Sequence, residues 1–312
     1  PKTRPRFPTV KDCIMPRMRK DVTMNEPLSR RDALKLGLGA AALGVPGSAV
    51  SFAETGPAQG RQEAKPMFTL DEFNKYGEDL EKHLMLRTSP IAVKMLEKEA
   101  DIPKEAVRPK KDRKYHIAQC QAFALSRREG TTVAMLKEDN WCPTAVMAYG
   151  LVKKPESVEQ WSHPYDCFEH GKYIGIVSAP LKSASFLPDV VILYAKPAQI
   201  RGLLLSMKVQ DVPLVKGHFF PPSCGWSVVN PMKTGEYWIV MPDPGEYQRA
   251  LTEEGDLMFS VPQSRMPAMM AGLKQNEHGA FSYREHSMFM QPDFPLPDFY
   301  KDMFKSWGMD TE

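Results

Sequence analysis

The 312-residue chain lacks most of the short motifs by which common enzyme classes are recognised. No GxGxxG follows a predicted strand and no GxxxxGK[ST] occurs, which disfavours a nucleotide-binding enzyme. GxSxG, HExxH and CxxCH are also missing, which disfavours a serine hydrolase, a zinc protease and a c-type cytochrome. Non-covalently bound haem stays open, because it needs only one His, Cys or Met ligand.

The chain also has little net charge, a formal +3 from 41 basic and 38 acidic residues. Residues 1–53 hold ten basic and four acidic residues, so the other 259 residues hold 31 and 34 and are slightly acidic. Without its first segment the chain therefore does not have the charge of a nucleic-acid-binding protein. Its apolar fraction of 42% is that of a globular domain.

No apolar run is suited to a stable membrane span. The stretch 33–50 is the most apolar in the N-terminal region, but it contains Lys35, Pro46 and four glycines. It follows Arg30-Arg31 and precedes a small-residue cleavage site ending at Ala53. This order resembles a twin-arginine (Tat) signal peptide, although an amphipathic helix after two arginines has the same pattern. We therefore expect export to the periplasm by the Tat machinery.

The predicted organisation follows from this leader. Residues 1–53 are the extension and signal, with Met24 the expected initiator, 54–66 are a linker, and 67–312 form one globular domain with a wrapping C-terminal tail. The Tat route carries proteins that are already folded, and many of its cargoes hold a metal or organic cofactor.

Cysteine is scarce, with five residues in the chain, and Cys13 would be removed with the leader. The other four, Cys120, Cys142, Cys167 and Cys224, are separated by 21, 24 and 56 residues, which match no short zinc or ferredoxin motif. In an oxidising compartment they allow two disulfides, but a domain of this size does not need them. Disulfides, metal ligation and buried thiols all remain open.

Predicted strands and helices alternate along residues 67–275, which favours an α/β or α+β fold, a single layered domain with a mixed sheet flanked by helices. Thr69 and Glu72 predict a capping box at the first helix. The apolar segment 189–195 predicts a central strand. Residues 116–129 predict a helix, whereas 221–226, with two prolines and a glycine, predict a tight loop that presents Cys224.

Five short segments carry a family resemblance: Ser89–Lys94 (SPIAVK), Cys120–Ala124 (CQAFA) with Gly130, Cys142, Pro188–Val191 (PDVV) with Pro197, and Ser223–Gly225 (SCG). Their order is similar to that of the bacterial and archaeal family called domain of unknown function 169, over about residues 70–280. The resemblance implies no particular reaction. It places Cys120, Cys142 and Cys224 in family-type segments and leaves Cys167 outside them, which fits three-point ligation better than two obligatory disulfides.

Histidines extend the list of candidate metal ligands. The predicted helix 116–129 would bring His116 and Cys120 to one face. His163, Cys167 and His170 place three ligands for zinc, copper or iron within eight residues, although a surface loop has the same composition. A third pattern, His286-x-Met288-x-Met290, resembles copper(I) ligation, but methionines more often fill irregular cores.

The leading hypothesis is an exported protein in which Cys120, Cys142 and Cys224, with or without Cys167, hold an iron–sulfur cluster or another metal. Its role would be redox or cofactor-associated, with a redox partner protein. The alternative is a periplasmic binding or interaction module that is stabilised by disulfides and carries out no chemistry. Whether the protein is an enzyme stays open.

Overall fold

A computed structural model of the protein describes residues 68–154, 166–208, 215–219, 221–275 and 298–309. All of these residues belong to one compact unit, 64–312. The predicted leader, the predicted linker, His163 and the His286–Met290 pattern lie outside the described residues.

A seven-stranded mixed sheet forms the centre of the fold. In chain order the strands are β1 (Ile91–Leu96), β2 (Val133–Leu136), β3 (Gly175–Pro180), β4 (Val190–Ala195), β5 (Lys216–His218), β6 (Trp238–Val240) and β7 (Leu257–Pro262). Their order across the sheet is β2-β3-β1-β4-β7-β6-β5. The β5–β6 pair is parallel and the other pairs are antiparallel.

Helices cover both faces of the sheet. They are α1 (Leu70–Leu84), α2 (Pro109–Arg113), α3 (Gln119–Glu129), α4 (Pro143–Ala148), α5 (Pro197–Lys208), α6 (Ser223–Thr234), α7 (Pro244–Gln248), α8 (Met266–Gln275) and α9 (Asp298–Ser306). Side chains of α1, α5 and α8 pack in one apolar layer, and those of α3, α4 and α6 pack in the other.

The central strands are buried on both faces, which explains their continuous apolar sequences. In β4 every residue is buried, and successive side chains alternate between the two layers. Val191 and Leu193 belong to the layer of α1, whereas Val190 and Ile192 belong to the layer of α3. The prediction of an α/β domain with a mixed sheet between helices is therefore confirmed.

Local predictions have mixed outcomes. The capping box is confirmed, since the Thr69 side chain accepts from the Glu72 backbone N–H and the Glu72 carboxylate accepts from the Thr69 backbone N–H. The predicted helix 116–129 begins three residues later, at Gln119. The predicted loop at 221–226 is wrong, because Ser223 already begins the twelve-residue helix α6.

Met269 and Met270, both in α8, are buried in the apolar layer that contains α1, in agreement with the view that methionines of this chain fill its core. In the ranges that the structure describes, no helix is both long and apolar enough to cross a bilayer.

Candidate functional site

Each of the three family-type cysteines lies at the start of a helix on the same face of the sheet. Cys120 is the second residue of α3, Cys142 is the N-cap of α4, and Cys224 is the second residue of α6. Pro143, at the first position of α4, fixes where that helix begins. Cys120 and Cys224 are buried and Cys142 is half-buried.

Hydrogen bonds of one asparagine connect the start of α3 to the start of α4. Asn140 donates from Nδ2 to Oε1 of Gln119, the neighbour of Cys120, at 3.2 Å. Its Oδ1 accepts from the backbone N–H of Cys142 at 2.9 Å. A parallel β-bridge between Ile117 and Asn140 supports the same connection through the backbone. Cys120 and Cys142 are therefore brought together although 21 residues separate them in the sequence.

Close packing connects α4 to α6. The hydroxyl of Tyr149, fully buried just after α4, donates to the backbone carbonyl of Cys224 at 2.8 Å. A Cβ placed on Gly225 would lie 3.0 Å from Cβ of Ala148, so the glycine permits the helices to approach this closely.

The side chains of Cys142 and Cys224 interact with each other, and this interaction sets their ionisation. The interaction with Cys224 is the largest of the effects that lower the pKa of Cys142 to about 6, whereas burial acts in the opposite direction. Thr144, whose Oγ1 lies 3.2 Å from the Cys142 sulfur, contributes to the same lowering. The interaction with Cys142 and burial raise the pKa of Cys224 well above its ordinary value. At neutral pH the pair therefore consists of a Cys142 thiolate and a Cys224 thiol.

Cys120 is the third member of the cluster. Burial, with the nearby negative charges of Glu246 and Asp243, raises its pKa to about 12. Cys142 adds to the same rise through its charge, which shows that the two sulfurs lie within electrostatic range of each other. Cys120 is therefore a protonated thiol in the free protein.

A buried carboxylate beside the thiols was not predicted from the sequence. Glu246 is 0% exposed, and it accepts from Ser223 Oγ at 2.6 Å and from Tyr194 Oη at 2.7 Å. Burial raises the pKa of Glu246, although both hydrogen bonds oppose that rise. Asp243 caps α7 three residues earlier, and Oδ2 of Asp243 lies 3.2 Å from the Ser223 hydroxyl. The Asp243-Pro244-x-Glu246 sequence would have indicated the helix start, but not this contact.

Cys167 and His170 are not among the groups that set the ionisation of the three clustered thiols. Cys167 is half-buried, and its charged neighbours are Lys154, Lys233 and Asp166 rather than the other cysteines. His170 is exposed in a turn.

The prediction that His116 and Cys120 share a helix face is wrong. His116 is exposed and lies before Ala118, the N-cap of α3. If α3 began at His116, Ile117 would be part of the helix and could not form its β-bridge with Asn140.

The cluster has the donor chemistry of a soft-metal site, because thiolates are preferred ligands of iron–sulfur clusters, zinc and copper(I). Within the described ranges, however, no group of three or more His, Cys, Asp or Glu side chains is arranged to hold a metal ion. Cys120, Cys142, Cys167 and Cys224 form no disulfide in the structure.

Comparison with known proteins places the chain in a family. No curated protein and no solved structure matches it significantly. The model of the DUF169 family, described as uncharacterised ArCR, matches residues 79–272, more than half of the 312 residues. This range contains Cys120, Cys142 and Cys224 together with Glu246, and the chain therefore belongs to the DUF169 family.

Proposed function

We propose that this chain is an exported protein whose thiol cluster, Cys120, Cys142 and Cys224, binds an iron–sulfur cluster or another thiophilic metal in a redox or cofactor-associated role. The observation that supports it is the convergence of three cysteines, distant in sequence, at the starts of three helices, while Cys167 lies elsewhere. When bound, the metal would supply electron transfer or an open coordination position for a substrate.

The ionisation of the three thiols favours this role. A thiol binds metal as the thiolate. Cys142 already has a pKa of about 6, whereas Cys120 and Cys224 have raised values and must give up protons on binding. Metal affinity should therefore increase with pH, with release of protons on binding.

Anaerobic purification of the full chain tests the proposal by elemental analysis for iron, zinc and copper and by visible absorption. We expect one metal centre per chain, its loss in Cys142→Ser and Cys224→Ser, and its retention in Cys167→Ser. Absence of all three metals and of visible absorption, after anaerobic reconstitution with iron and sulfide and after addition of zinc or copper(I), would contradict the proposal.

Export is tested separately from metal binding. Arg30→Lys with Arg31→Lys changes the paired arginines without changing charge, and we expect it to keep the protein in the cytoplasm of a Tat-competent bacterium. Lys35→Arg is a control that changes a basic residue of the same segment and leaves Arg30 and Arg31 unchanged. Equal periplasmic amounts of the arginine variant and the control would contradict the Tat assignment.

The interaction of Cys142 with Cys224, which lowers the pKa of one thiol and raises that of the other, favours a second candidate function, reversible dithiol–disulfide exchange with a redox partner protein. The Cys142 thiolate would attack a disulfide of the partner, release one partner thiolate and form a mixed disulfide. Cys224, after losing its proton, would then displace the second partner thiolate. The protein becomes oxidised and the partner gains the two electrons.

Mass spectrometry without prior reduction distinguishes these roles. A Cys142–Cys224 disulfide that equilibrates with a glutathione buffer supports exchange. Disulfides too stable to equilibrate, with potentials below about −300 mV, support the disulfide-stabilised binding module instead. Thiols protected by bound metal support the metal centre.

A further inference from the structure

Tyr194, which donates a hydrogen bond to Glu246, also lines a basic cleft. The cleft has a volume of about 280 Å³. The charged residues that line it are Arg87, Arg127, Arg128, Lys196, Glu253 and Asp256. Four cations thus face two carboxylates.

Both carboxylates are engaged with other groups. Glu253 accepts two bonds from Arg87, at 2.6 and 2.7 Å, and lies 3.0 Å from Lys196. Asp256 accepts from the Glu253 backbone N–H at 3.0 Å and from the Thr252 hydroxyl at 3.3 Å. Arg87 and Lys196 are therefore compensated, and no carboxylate of the described residues contacts Arg127 or Arg128.

Arg127 is a buried cation with neutral partners. It is 5% exposed, and its guanidinium donates to Thr88 Oγ1 at 3.2 Å and to the backbone carbonyl of Leu251. Its Nε has no hydrogen-bond partner in the described part of the chain. Burial of this charge lowers the pKa of Arg127. The charges of Asp256 and Glu246 partly oppose this lowering, but neither carboxylate is hydrogen-bonded to Arg127. A buried cation without a directly bound anion is costly, so the site gains from a bound negative group.

Arg128 adds an accessible cation at the same place. It is exposed, and its two terminal nitrogens donate to the carbonyls of Ala250 and Leu251 at 2.8 and 2.7 Å. These bonds fix the guanidinium against a loop in which Ala250 has a φ of 54°, a conformation that is unusual for a non-glycine residue. Arg128 is therefore already ordered for a ligand.

We propose that this cleft binds a small molecule through a phosphate or carboxylate group, held by Arg127 and Arg128. Planar guanidinium groups match both kinds of oxyanion with paired hydrogen bonds. The volume suits a small ligand, since pockets for drug-sized molecules begin at about 300 Å³.

Contacts of Tyr194 and the charge of Glu246 connect the cleft to the thiol cluster. The Arg127 guanidinium lies 3.9 Å from the centre of the Tyr194 ring, and the Tyr194 hydroxyl donates to Glu246. Glu246 in turn is the carboxylate whose charge raises the pKa of Cys120. An anion on Arg127 would thus be bound two side chains away from the cluster. The site itself does not depend on what the cysteines bind.

Isothermal titration of the full chain tests the proposal, with inorganic phosphate and acetate as probes at constant ionic strength. We expect saturable binding of at least one probe to one site, weakened about tenfold or more in Arg128→Gln and in Arg127→Gln. Arg113→Gln, an exposed arginine on α2 outside the cleft, is the matched control and should bind as the wild type does.

Each outcome decides the question. Binding of phosphate alone assigns a phosphate ligand, and binding of acetate alone assigns a carboxylate ligand. No saturable binding of either probe, or binding that Arg128→Gln and Arg127→Gln leave unchanged, overturns the proposal. Two variants are used so that a folding failure of one, seen by circular dichroism, leaves the other as the test.

Discussion

At the scale of single residues, Cys142 is distinguished from the other three thiols by a lowered pKa. The values of Cys120, Cys167 and Cys224 are all raised, chiefly by burial for Cys120 and Cys167 and by the interaction with Cys142 for Cys224. Cys142 alone is both half-buried and stabilised as a thiolate by a neighbouring donor. Reactivity toward electrophiles should therefore concentrate at this position.

The pH dependence of alkylation tests this assignment. Because the thiolate is the reactive form, the rate of iodoacetamide reaction at Cys142 should rise with pH through an inflection near 6. Cys224→Ala removes the main donor and should move the inflection upward, toward the ordinary value of about 8.5. Peptide mass spectrometry follows each cysteine separately, and Cys167→Ala is the control that should leave the Cys142 profile unchanged. An inflection near 8.5 in the wild-type protein would contradict the prediction.

Tyr194 is the residue that joins the basic cleft to Glu246. Its hydroxyl donates to a carboxylate that is 0% exposed, so Tyr194→Phe leaves a buried oxygen without its donor. We expect the free energy of unfolding to fall by about 1.5–3 kcal/mol in urea titrations. Tyr115→Phe, at a position that is 51% exposed, should change stability by less than about 0.5 kcal/mol. Equal stability of the two variants would show that the buried hydrogen bond contributes nothing.

At the scale of helices and strands, the sequence predicted the elements whose pattern is local. The apolar segment 190–195 is a central strand, and Thr69 with Glu72 caps α1. Helix α6 was missed because Pro221, Pro222 and Gly225 are typical of a loop, and Pro231 lies inside the helix. Its first nine residues are nevertheless buried, so tertiary packing outweighs their low helix propensity.

The candidate site was predictable only in part, because local sequence patterns do not show which distant residues meet in the fold. Family-type segments singled out the three cysteines, but their neighbours come from elements far away in the sequence. Glu246, for example, meets Tyr194 across 52 residues and Ser223 across 23. Such contacts follow from the order of strands in the sheet, which no short motif encodes.

Close packing of α1 against the 3-10 turn Leu181–Ser183, which follows β3, depends on Gly77. Substitution of this glycine sets two opposed effects against each other. Gly77→Ala should favour the helix by about 1 kcal/mol from propensity alone. The added Cβ, however, would lie 2.5 Å from the backbone nitrogen of Lys182 and 2.9 Å from its Cα, neither of which can rotate away. We expect the clash to prevail, with a net loss of about 1–3 kcal/mol in the free energy of unfolding.

Gly255→Ala is the matched control for that measurement. A Cβ at Gly255 would meet no atom within 4 Å. The free energy of unfolding of the Gly255→Ala protein should therefore stay within about 0.5 kcal/mol of the wild type. A more stable Gly77→Ala protein would mean that α1 can shift outward without loss of packing.

At the scale of the whole molecule, one sheet is shared by two apolar layers. Phe73 of α1 is fully buried in one layer, and Cys224 of α6 is buried in the other. The strands between them contribute alternate side chains to both layers, so neither layer keeps its packing surface when the sheet is lost. The thiol cluster should therefore be only as stable as the entire fold.

Unfolding of Phe73→Ala tests this coupling across the sheet. Removal of a fully buried ring costs about 3–5 kcal/mol, so the urea midpoint of the circular dichroism signal should fall. Because the layers unfold together, the buried thiols of Cys120 and Cys224 should become reactive to a disulfide reagent at the same lowered midpoint. Glu78→Ala, at an exposed position of the same helix, should shift neither signal. Thiol exposure that keeps its wild-type midpoint while the dichroism midpoint falls would show that the layer holding the cysteines unfolds independently of α1.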